Sequence, residues 1–267
     1  MASAMRQSKP MALLLAVVAL LLVGLMTMPA LAQPAAQPRR PHITAELLAE
    51  GPALPGETVT LAFRMVPEKG WHGYWSNPGD AGQGMTVTWT LPRGASAGSL
   101  AYPVPETFVF AGLMNHVYEH EYAVLVPLTL PRDARPGQVL PIRVKAEWLA
   151  CSDSLCVPES GELSTSVTVG AAGKGDPRFA AWRQALPAPL GSKAAFALDG
   201  GRIRIGIPLP ASVPLENPHF FIGEDRVADF AAPQTFLRKG DLLVVELAPA
   251  KIQPITPTAL SGVLRLN

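Results

Sequence analysis

Cys151 and Cys156 are the residues whose type and spacing point most directly to chemistry. They are the only two cysteines among the 267 residues, and four residues separate them. Thiols this close can form a disulfide with each other, exchange with a disulfide of another molecule, or bind a soft metal ion. The pair therefore leaves three alternatives open: redox exchange, a structural disulfide and metal binding.

Loop length favours redox exchange over a structural disulfide. Closing a loop this short removes about 2 kcal/mol of unfolded-state entropy, whereas closing a loop of a hundred residues removes about 4.7 kcal/mol. A disulfide that stabilises a β-sandwich would join distant strands. Tight loops are also more easily strained, which makes the bond easier to reduce.

Metal binding is the third alternative. Met114 and His116 could join both cysteines in a Cu(I) site, because Cu(I) prefers thiolate, thioether and imidazole ligands. However, the cysteines lack the C-x₂-C spacing of zinc sites, and no histidine adjoins them.

The redox interpretation needs a group that stabilises a thiolate. The chain has no C-x-x-C motif and no thioredoxin-like βαβ pattern, so it is not a thioredoxin. Asp153, the only charged residue between the cysteines, would raise the pKa of a thiol. The stabilising group must come from elsewhere in the sequence, and His116 is the candidate.

Composition excludes two classes of protein and favours an all-β fold. With 22 Lys and Arg against 21 Asp and Glu, the net charge is +1, which argues against a nucleic-acid binder. An apolar share of 48% with few charged residues argues against disorder. The 23 glycines and 28 prolines favour short strands joined by turns.

The N-terminus has the pattern of a secretory signal peptide. Arg6 and Lys9 precede an apolar run from Met11 to Met28, and the small-residue triplet that ends at Ala32 follows. This pattern predicts export and cleavage after Ala32. The run is slightly long, so an uncleaved N-terminal anchor is the alternative.

Short runs in which apolar and polar residues alternate predict half-buried antiparallel strands. Several such runs, bounded by Pro or Gly, favour an immunoglobulin-like β-sandwich followed by a second, smaller β domain. A short helix at Pro177–Leu186, capped by Asp176, should dock through Phe179 and Trp182. The runs are Val59–Met65, Met85–Leu91, Ile142–Trp148, Leu163–Val169, Ile203–Leu209, Leu242–Leu247 and Leu260–Leu266.

These patterns divide the chain into five parts. We expect a signal peptide (1–32), a Pro-rich tether (33–41), a β-sandwich with the cysteine pair (42–170), a linker with the short helix (171–187) and a second β domain (188–267).

Three segments of the chain form a recognisable set: GWHGYWSNPGD (70–80), YPVPE (102–106) with the stretch 108–118, and WLACSDSLCVPE (148–159). Together they resemble the N-terminal periplasmic domain of the DsbD/ScsB disulfide reductases, most closely the ScsB-like (suppressor of copper sensitivity) branch. The resemblance covers essentially the whole chain after the signal peptide.

The resemblance implies a periplasmic thiol–disulfide exchange module without a dissociable cofactor. Its donor would be a polytopic membrane reductase domain, and its partners would be periplasmic disulfide-bearing proteins of thioredoxin fold, not nucleic acids. Cys156 would attack the partner, and Cys151 would resolve the mixed disulfide.

The resemblance also implies a mobile cap loop over the cysteines. The matching stretch is 108–118, with Phe110 as the cap; His116 and Tyr118 lie in it, and Tyr74 and Trp75 could line the site.

The chain departs from the family pattern in two ways. Four residues separate the cysteines, whereas the DsbD branch has five. The membrane and thioredoxin-like domains of the family do not follow Asn267, so we expect either a piece of a longer protein or a module served by a separate membrane protein. A copper-tolerance protein and a non-catalytic interaction module with a structural disulfide remain as alternative functions.

Overall fold

The computed structural model describes residues 40–171 and 173–267. The predicted signal peptide and the tether up to residue 39 lie outside the described residues. Those described form sixteen strands and one helix, α1 (Arg178–Gln184). The strands are β1 (Ile43–Ala49), β2 (Thr58–Pro67), β3 (Gly73–Gly79), β4 (Thr86–Thr90), β5 (Ser96–Ala97), β6 (Glu106–Phe110), β7 (Leu113–Tyr118), β8 (Tyr122–Thr129), β9 (Val139–Cys151), β10 (Cys156–Thr168), β11 (Ala195–Asp199), β12 (Arg202–Pro208), β13 (His219–Ile222), β14 (Thr235–Lys239), β15 (Leu242–Leu247) and β16 (Gly262–Arg265).

Two antiparallel sheets pack face to face around the main core. One has the strand order β1-β2-β8-β5 and the other β10-β9-β4. Alternate residues of β9 from Leu140 to Trp148 are buried in this core, opposite Leu61, Phe63 and Val124 of the first sheet. The expectation of an all-β, immunoglobulin-like sandwich is confirmed, and the alternating runs on β2, β4, β9 and β10 are strands.

Strand β8 had no alternating pattern because both of its faces are buried. Val124 and Val126 face the main core, whereas Ala123 and Leu125 lie under helix α1. A strand covered on both faces reads as a continuous apolar run rather than as an alternation.

Helix α1 docks as predicted, although it is shorter than the predicted span Pro177–Leu186. Phe179 is fully buried against the outer face of β2 and β8, and Trp182 packs beside it. The Asp176 carboxylate accepts a hydrogen bond from the Arg178 backbone N–H at 3.0 Å, which is the contribution expected of a residue that opens a helix.

A third sheet, with the order β3-β7-β6, stands where a mobile cap loop was expected. Residues 106–118 form a β-hairpin whose turn is Ala111-Gly112. The φ values of 51° and 82° at these two residues are typical of the two-residue type I′ turn, which matches the twist of the flanking strands. The expectation of a loop over residues 108–118 is wrong, because these residues belong to two paired strands and the turn between them.

The C-terminal strands form the sheet β11-β12-β15-β14 and the pair β13-β16, around a second hydrophobic cluster. Phe221 and Val263 of this region pack with the main core instead, and residues 41–267 form one compact unit. The domain boundaries given above stay a prediction. No helix among the described residues is long and apolar enough to cross a membrane.

Candidate functional site

The two cysteines face each other across the hairpin of β9 and β10. Cys151 is the last residue of β9 and Cys156 the first of β10; they are paired directly, with their Cα atoms 4.1 Å apart, and their sulfur atoms are bonded. The Ser152 N–H donates to the Leu155 carbonyl oxygen at 2.8 Å, which closes a tight turn around Asp153 and Ser154. The backbone pairing therefore holds the two sulfur atoms within bonding distance of each other.

The two cysteines differ sharply in exposure. Cys151 is 1% exposed, whereas Cys156 is an exposed residue. An incoming group can reach Cys156 from solvent, while Cys151 is shielded from it.

His72 pairs with Cys151 on the other side of β9. The His72 N–H donates to the Cys151 carbonyl oxygen at 2.8 Å, and the Cys151 N–H donates to the His72 carbonyl oxygen at 3.1 Å. Directly opposed residues of antiparallel strands project their side chains from the same face. His72, Cys151 and Cys156 therefore form one row across three chain segments.

This row lies on the face of β9 that is turned away from the sandwich core. Ala150 packs in the main core, and the next residue, Cys151, belongs to a separate small cluster with Tyr74 and Val117. Phe108 of β6 packs on this cluster, and its ring lies 4.8 Å from that of His72. The hairpin β6–β7 and strand β3 thus cover the buried sulfur with apolar groups.

Burial sets the protonation of the polar groups in this cluster. It lowers the pKa of His72, an effect that the nearby carboxylates of Glu119 and Asp153 oppose. It also raises the pKa of Tyr74, whose hydroxyl lies 3.3 Å from Nε2 of His72. Both side chains are therefore neutral near neutral pH.

The Glu159 carboxylate joins the cysteine hairpin to the start of β1. It accepts hydrogen bonds from the backbone N–H groups of His42 and Ile43, at 2.6 and 3.1 Å, and from the Trp148 indole N–H at 2.9 Å. The His42 ring stacks on Trp71 at 3.5 Å, next to His72 in sequence. Three donors on one part-buried carboxylate fix the hairpin three residues beyond Cys156.

Of the five residues predicted to line the site, the structure places Tyr74 in the Cys151 cluster and the others elsewhere. Trp75 and Tyr118 belong to the main core, where the Tyr118 ring stacks on Tyr122. Phe110, the predicted cap, lies at the turn of the β6–β7 hairpin and is 49% exposed. Phe108, two residues earlier, is the phenylalanine in contact with the cluster.

The hypothesis that His116 stabilises a thiolate requires its ring to lie beside the cysteines, but it does not lie there. Its neighbour Val117 faces the Cys151 cluster, so the imidazole points from the opposite face of β7, where it meets Phe221 and Phe230. Its Nδ1–H donates to the Asn77 carbonyl oxygen at 2.9 Å, and burial lowers its pKa.

The four-residue copper set is not assembled either. Met114 packs with the C-terminal cluster, close to the region that His116 faces, whereas both cysteines lie on the other face of the β3-β7-β6 sheet. Among residues 40–171 and 173–267, no group of three or more His, Cys, Asp or Glu side chains is placed to hold a metal ion.

Sequence reasoning missed His72, Phe108 and Glu159 as residues of the site. All three lie inside the motifs quoted above, but a motif alone does not show which of its side chains face the cysteines. Had Ala111-Gly112 been recognised as a hairpin turn, alternation along β6 would have separated Phe108 from Phe110. The pairing of His72 with Cys151 joins segments 79 residues apart and left no local trace.

Comparisons with known proteins agree with this geometry. Residues 44–168 match the family model described as thiol:disulfide interchange protein DsbD, N-terminal. A crystal structure of the N-terminal periplasmic domain of ScsB from Proteus mirabilis matches with a TM-score of 0.60 and 17% sequence identity, covering 87% of this chain and 92% of that one. Residues 44–168 are therefore similar to the N-terminal domain of DsbD, and the chain shares the fold of the ScsB domain.

Two further comparisons carry no such information. The major pilin subunit of Bacillus cereus matches with a TM-score of 0.29 and 13% identity over 48% of this chain and 40% of the pilin, too low to indicate a shared fold. No curated protein sequence matches this chain significantly.

Removal of the Glu159 carboxylate should destabilise the protein. Glu159→Ala leaves three N–H donors without their acceptor, and we expect the free energy of unfolding to fall by about 2 kcal/mol in urea denaturation. Glu162→Ala, at an exposed position of the same strand, should change it by no more than about 0.5 kcal/mol. Equal losses in the two variants would contradict the role given to Glu159.

Proposed function

We propose that this protein is a periplasmic thiol–disulfide exchange module. It accepts reducing equivalents from a polytopic membrane reductase and passes them through Cys151 and Cys156 to disulfide-bearing proteins of thioredoxin fold. The observation that carries the proposal is the pairing of an exposed Cys156 with a buried Cys151 at one end of a DsbD/ScsB-like domain. The predicted signal peptide supports export.

The reaction consists of two thiol–disulfide exchanges. The Cys156 thiolate attacks one sulfur of the partner disulfide, so that a mixed disulfide forms and the second partner sulfur leaves as a thiolate. Cys151 then attacks Sγ of Cys156, forms the intramolecular disulfide and releases the first partner sulfur. The partner gains two electrons, and the cysteine pair loses two. The membrane reductase restores the dithiol by the reverse sequence.

The difference in exposure supports the order of attack. Cys156 can meet a protein disulfide without rearrangement of its surroundings, whereas Cys151 is covered by Tyr74, Val117 and Phe108. The covered cysteine is suited to the intramolecular step, since its target sulfur is on the directly paired residue.

The β6–β7 hairpin supplies both the cover and an apolar contact surface in this proposal. Phe108 shields Cys151 from solvent. Val109, Phe110 and Leu113 are 60%, 49% and 45% exposed at the tip of the same hairpin. We assign the cap role to Phe108, and to Phe110 the role of a partner contact at the rim.

The first test of the function is the ease of reduction of the disulfide. The protein without its signal peptide is equilibrated in graded dithiothreitol or glutathione, and free thiols are counted by the mass shift on alkylation. We expect reduction within the range of known exchange proteins, about −120 to −270 mV. A bond that stays oxidised until well below about −300 mV would identify a structural disulfide and exclude the exchange function.

Cysteine variants test the order of attack. Reduced Cys151→Ser should trap a mixed disulfide with an oxidised thioredoxin-fold protein, because no second thiol is left to resolve it. Reduced Cys156→Ser should trap at least about tenfold less, since the remaining thiol is buried. Non-reducing gel electrophoresis of the mixtures measures both, and equal trapping would refute the assigned order.

Variants of the two phenylalanines distinguish the role of covering Cys151 from the role of contacting a partner protein. Phe108→Ala should raise the rate at which iodoacetamide alkylates Cys151 in the reduced protein several-fold, because it opens the cluster to solvent. Phe110→Ala should leave that rate unchanged but slow exchange with a protein disulfide. Mass spectrometry of quenched time points reads the alkylation, and a reversed pattern would return the cap role to Phe110.

A further inference from the structure

We infer that His72 accepts the proton of the Cys151 thiol when this cysteine resolves the mixed disulfide, and returns it when the disulfide is reduced. The inference rests on the proposed function and adds a third reacting residue to the pair. His72 was absent from the candidates that the sequence suggested.

Placement is the first support. Cys151 has Cys156 as its direct partner on one side and His72 on the other, and all three side chains project from the same face. Side chains at directly opposed positions have Cβ atoms about 5 Å apart, a separation that an imidazole and a thiol bridge without backbone movement. The proton acceptor and the sulfur to be attacked thus flank Cys151 in one row.

The surroundings of Cys151 are the second support. The apolar groups that pack with it are Tyr74, Val117, Phe108 and Leu149, and they shield the sulfur from water that could otherwise take its proton. His72 is 4% exposed and lies against two of them, with ring centroids 5.4 Å from Tyr74 and 4.8 Å from Phe108. Burying a polar ring among apolar groups costs free energy. His72 is nevertheless placed in this cluster, where its imidazole can act as a base.

Charge is the third support. Because burial lowers the pKa of His72, the imidazole is neutral near neutral pH and can accept a proton. Glu119, directly after β7, and Asp153, in the cysteine turn, are the carboxylates that act on this ring, and both stabilise the imidazolium formed by the transfer. Burial keeps the Tyr74 hydroxyl protonated, and its oxygen lies 3.3 Å from Nε2 of His72. In the tautomer in which Nε2–H donates to this oxygen, the lone pair of Nδ1 is free to accept the thiol proton.

The resolving step balances without any further reactant. The Cys151 S–H proton moves to the His72 ring, the new bond forms between the two cysteine sulfurs, and the bond between Cys156 and the partner breaks. The partner sulfur leaves as a thiolate with the electron pair of the broken bond. The imidazolium then gives its proton to solvent or to that thiolate.

The test follows resolution with a small disulfide, so that no protein partner is needed. Reduced protein is mixed with 5,5′-dithiobis(2-nitrobenzoate) in a stopped-flow instrument. The first thionitrobenzoate is released in a second-order phase and the second in a first-order phase, whose rate is independent of reagent concentration and reports the attack of Cys151. We expect this rate to be nearly constant between about pH 7 and pH 8 in the unmodified protein, because the lowered pKa of His72 leaves it neutral there.

In His72→Gln the first-order phase should be about 10- to 100-fold slower at pH 7 and should rise about tenfold per pH unit, because the thiol must ionise unaided. His116→Gln, a buried change away from the cysteines, and His120→Gln, an exposed one, should keep the original profile. An unchanged profile in His72→Gln would overturn the inference.

The pH dependence of the first-order rate in the unmodified protein is a second test, which holds even if His72→Gln fails to fold. A rate that rises tenfold per pH unit from pH 6 with no plateau would overturn the inference. Failure of the exchange function itself would appear elsewhere, as resistance to graded reduction and absence of trapped protein partners. The two failures are therefore distinguishable.

Discussion

The pair of backbone hydrogen bonds between His72 and Cys151 is the constraint on which the site depends. Residues 143–147, in the middle of β9, pair with β4. The last residue of β9, Cys151, lies beyond the end of β4 and pairs instead with His72, in the segment that leads into β3. This junction attaches the β3-β7-β6 sheet to the sandwich. Together with Trp75 and Tyr118, which pack in the main core, it holds Tyr74 and the hairpin that bears Phe108 over Cys151.

The same junction explains why one cysteine is buried and the other exposed. Cys151 lies between two neighbouring segments and under a covering sheet, so its sulfur is enclosed. Cys156 is on β10, which is the edge strand of its sheet within residues 40–171 and 173–267, so its outer side is not paired with another strand there. The Glu159 carboxylate then fixes this edge through the start of β1 and the Trp148 indole. Position within the sheet thus gives two identical residues different accessibility.

The alternating runs predicted the strands β2, β4, β9, β10, β12, β15 and β16, but not the other nine strands of the described residues. The sequence also singled out the two cysteines that the structure pairs. It failed for β8, which is buried on both faces and so shows no alternation, and for the hairpin of residues 106–118, which was interpreted as a loop. His116 was the sequence candidate for the group that stabilises a thiolate, but strand alternation turns its ring to the other face of β7. His72 could not be selected, since only long-range pairing brings it to Cys151. Local alternation of apolar and polar residues therefore predicted strands, whereas contacts between distant strands determine which side chains lie together in the site.

The position of the cysteines in the strand ladder has a consequence for the opening and closing of their bond. Both backbone polar groups of Cys151 are bonded to His72, so its pairing with Cys156 uses none of the hydrogen bonds of the hairpin, in keeping with the close Cα separation of 4.1 Å. Making or breaking the sulfur bond therefore leaves every rung of the ladder intact. The backbone hydrogen bonds around the pair therefore do not depend on the sulfur bond, and the groups that this bond directly affects are the two sulfur atoms and the side chains packed on them. A cysteine pair at such a rung can open and close at the cost of one covalent bond and no backbone hydrogen bond.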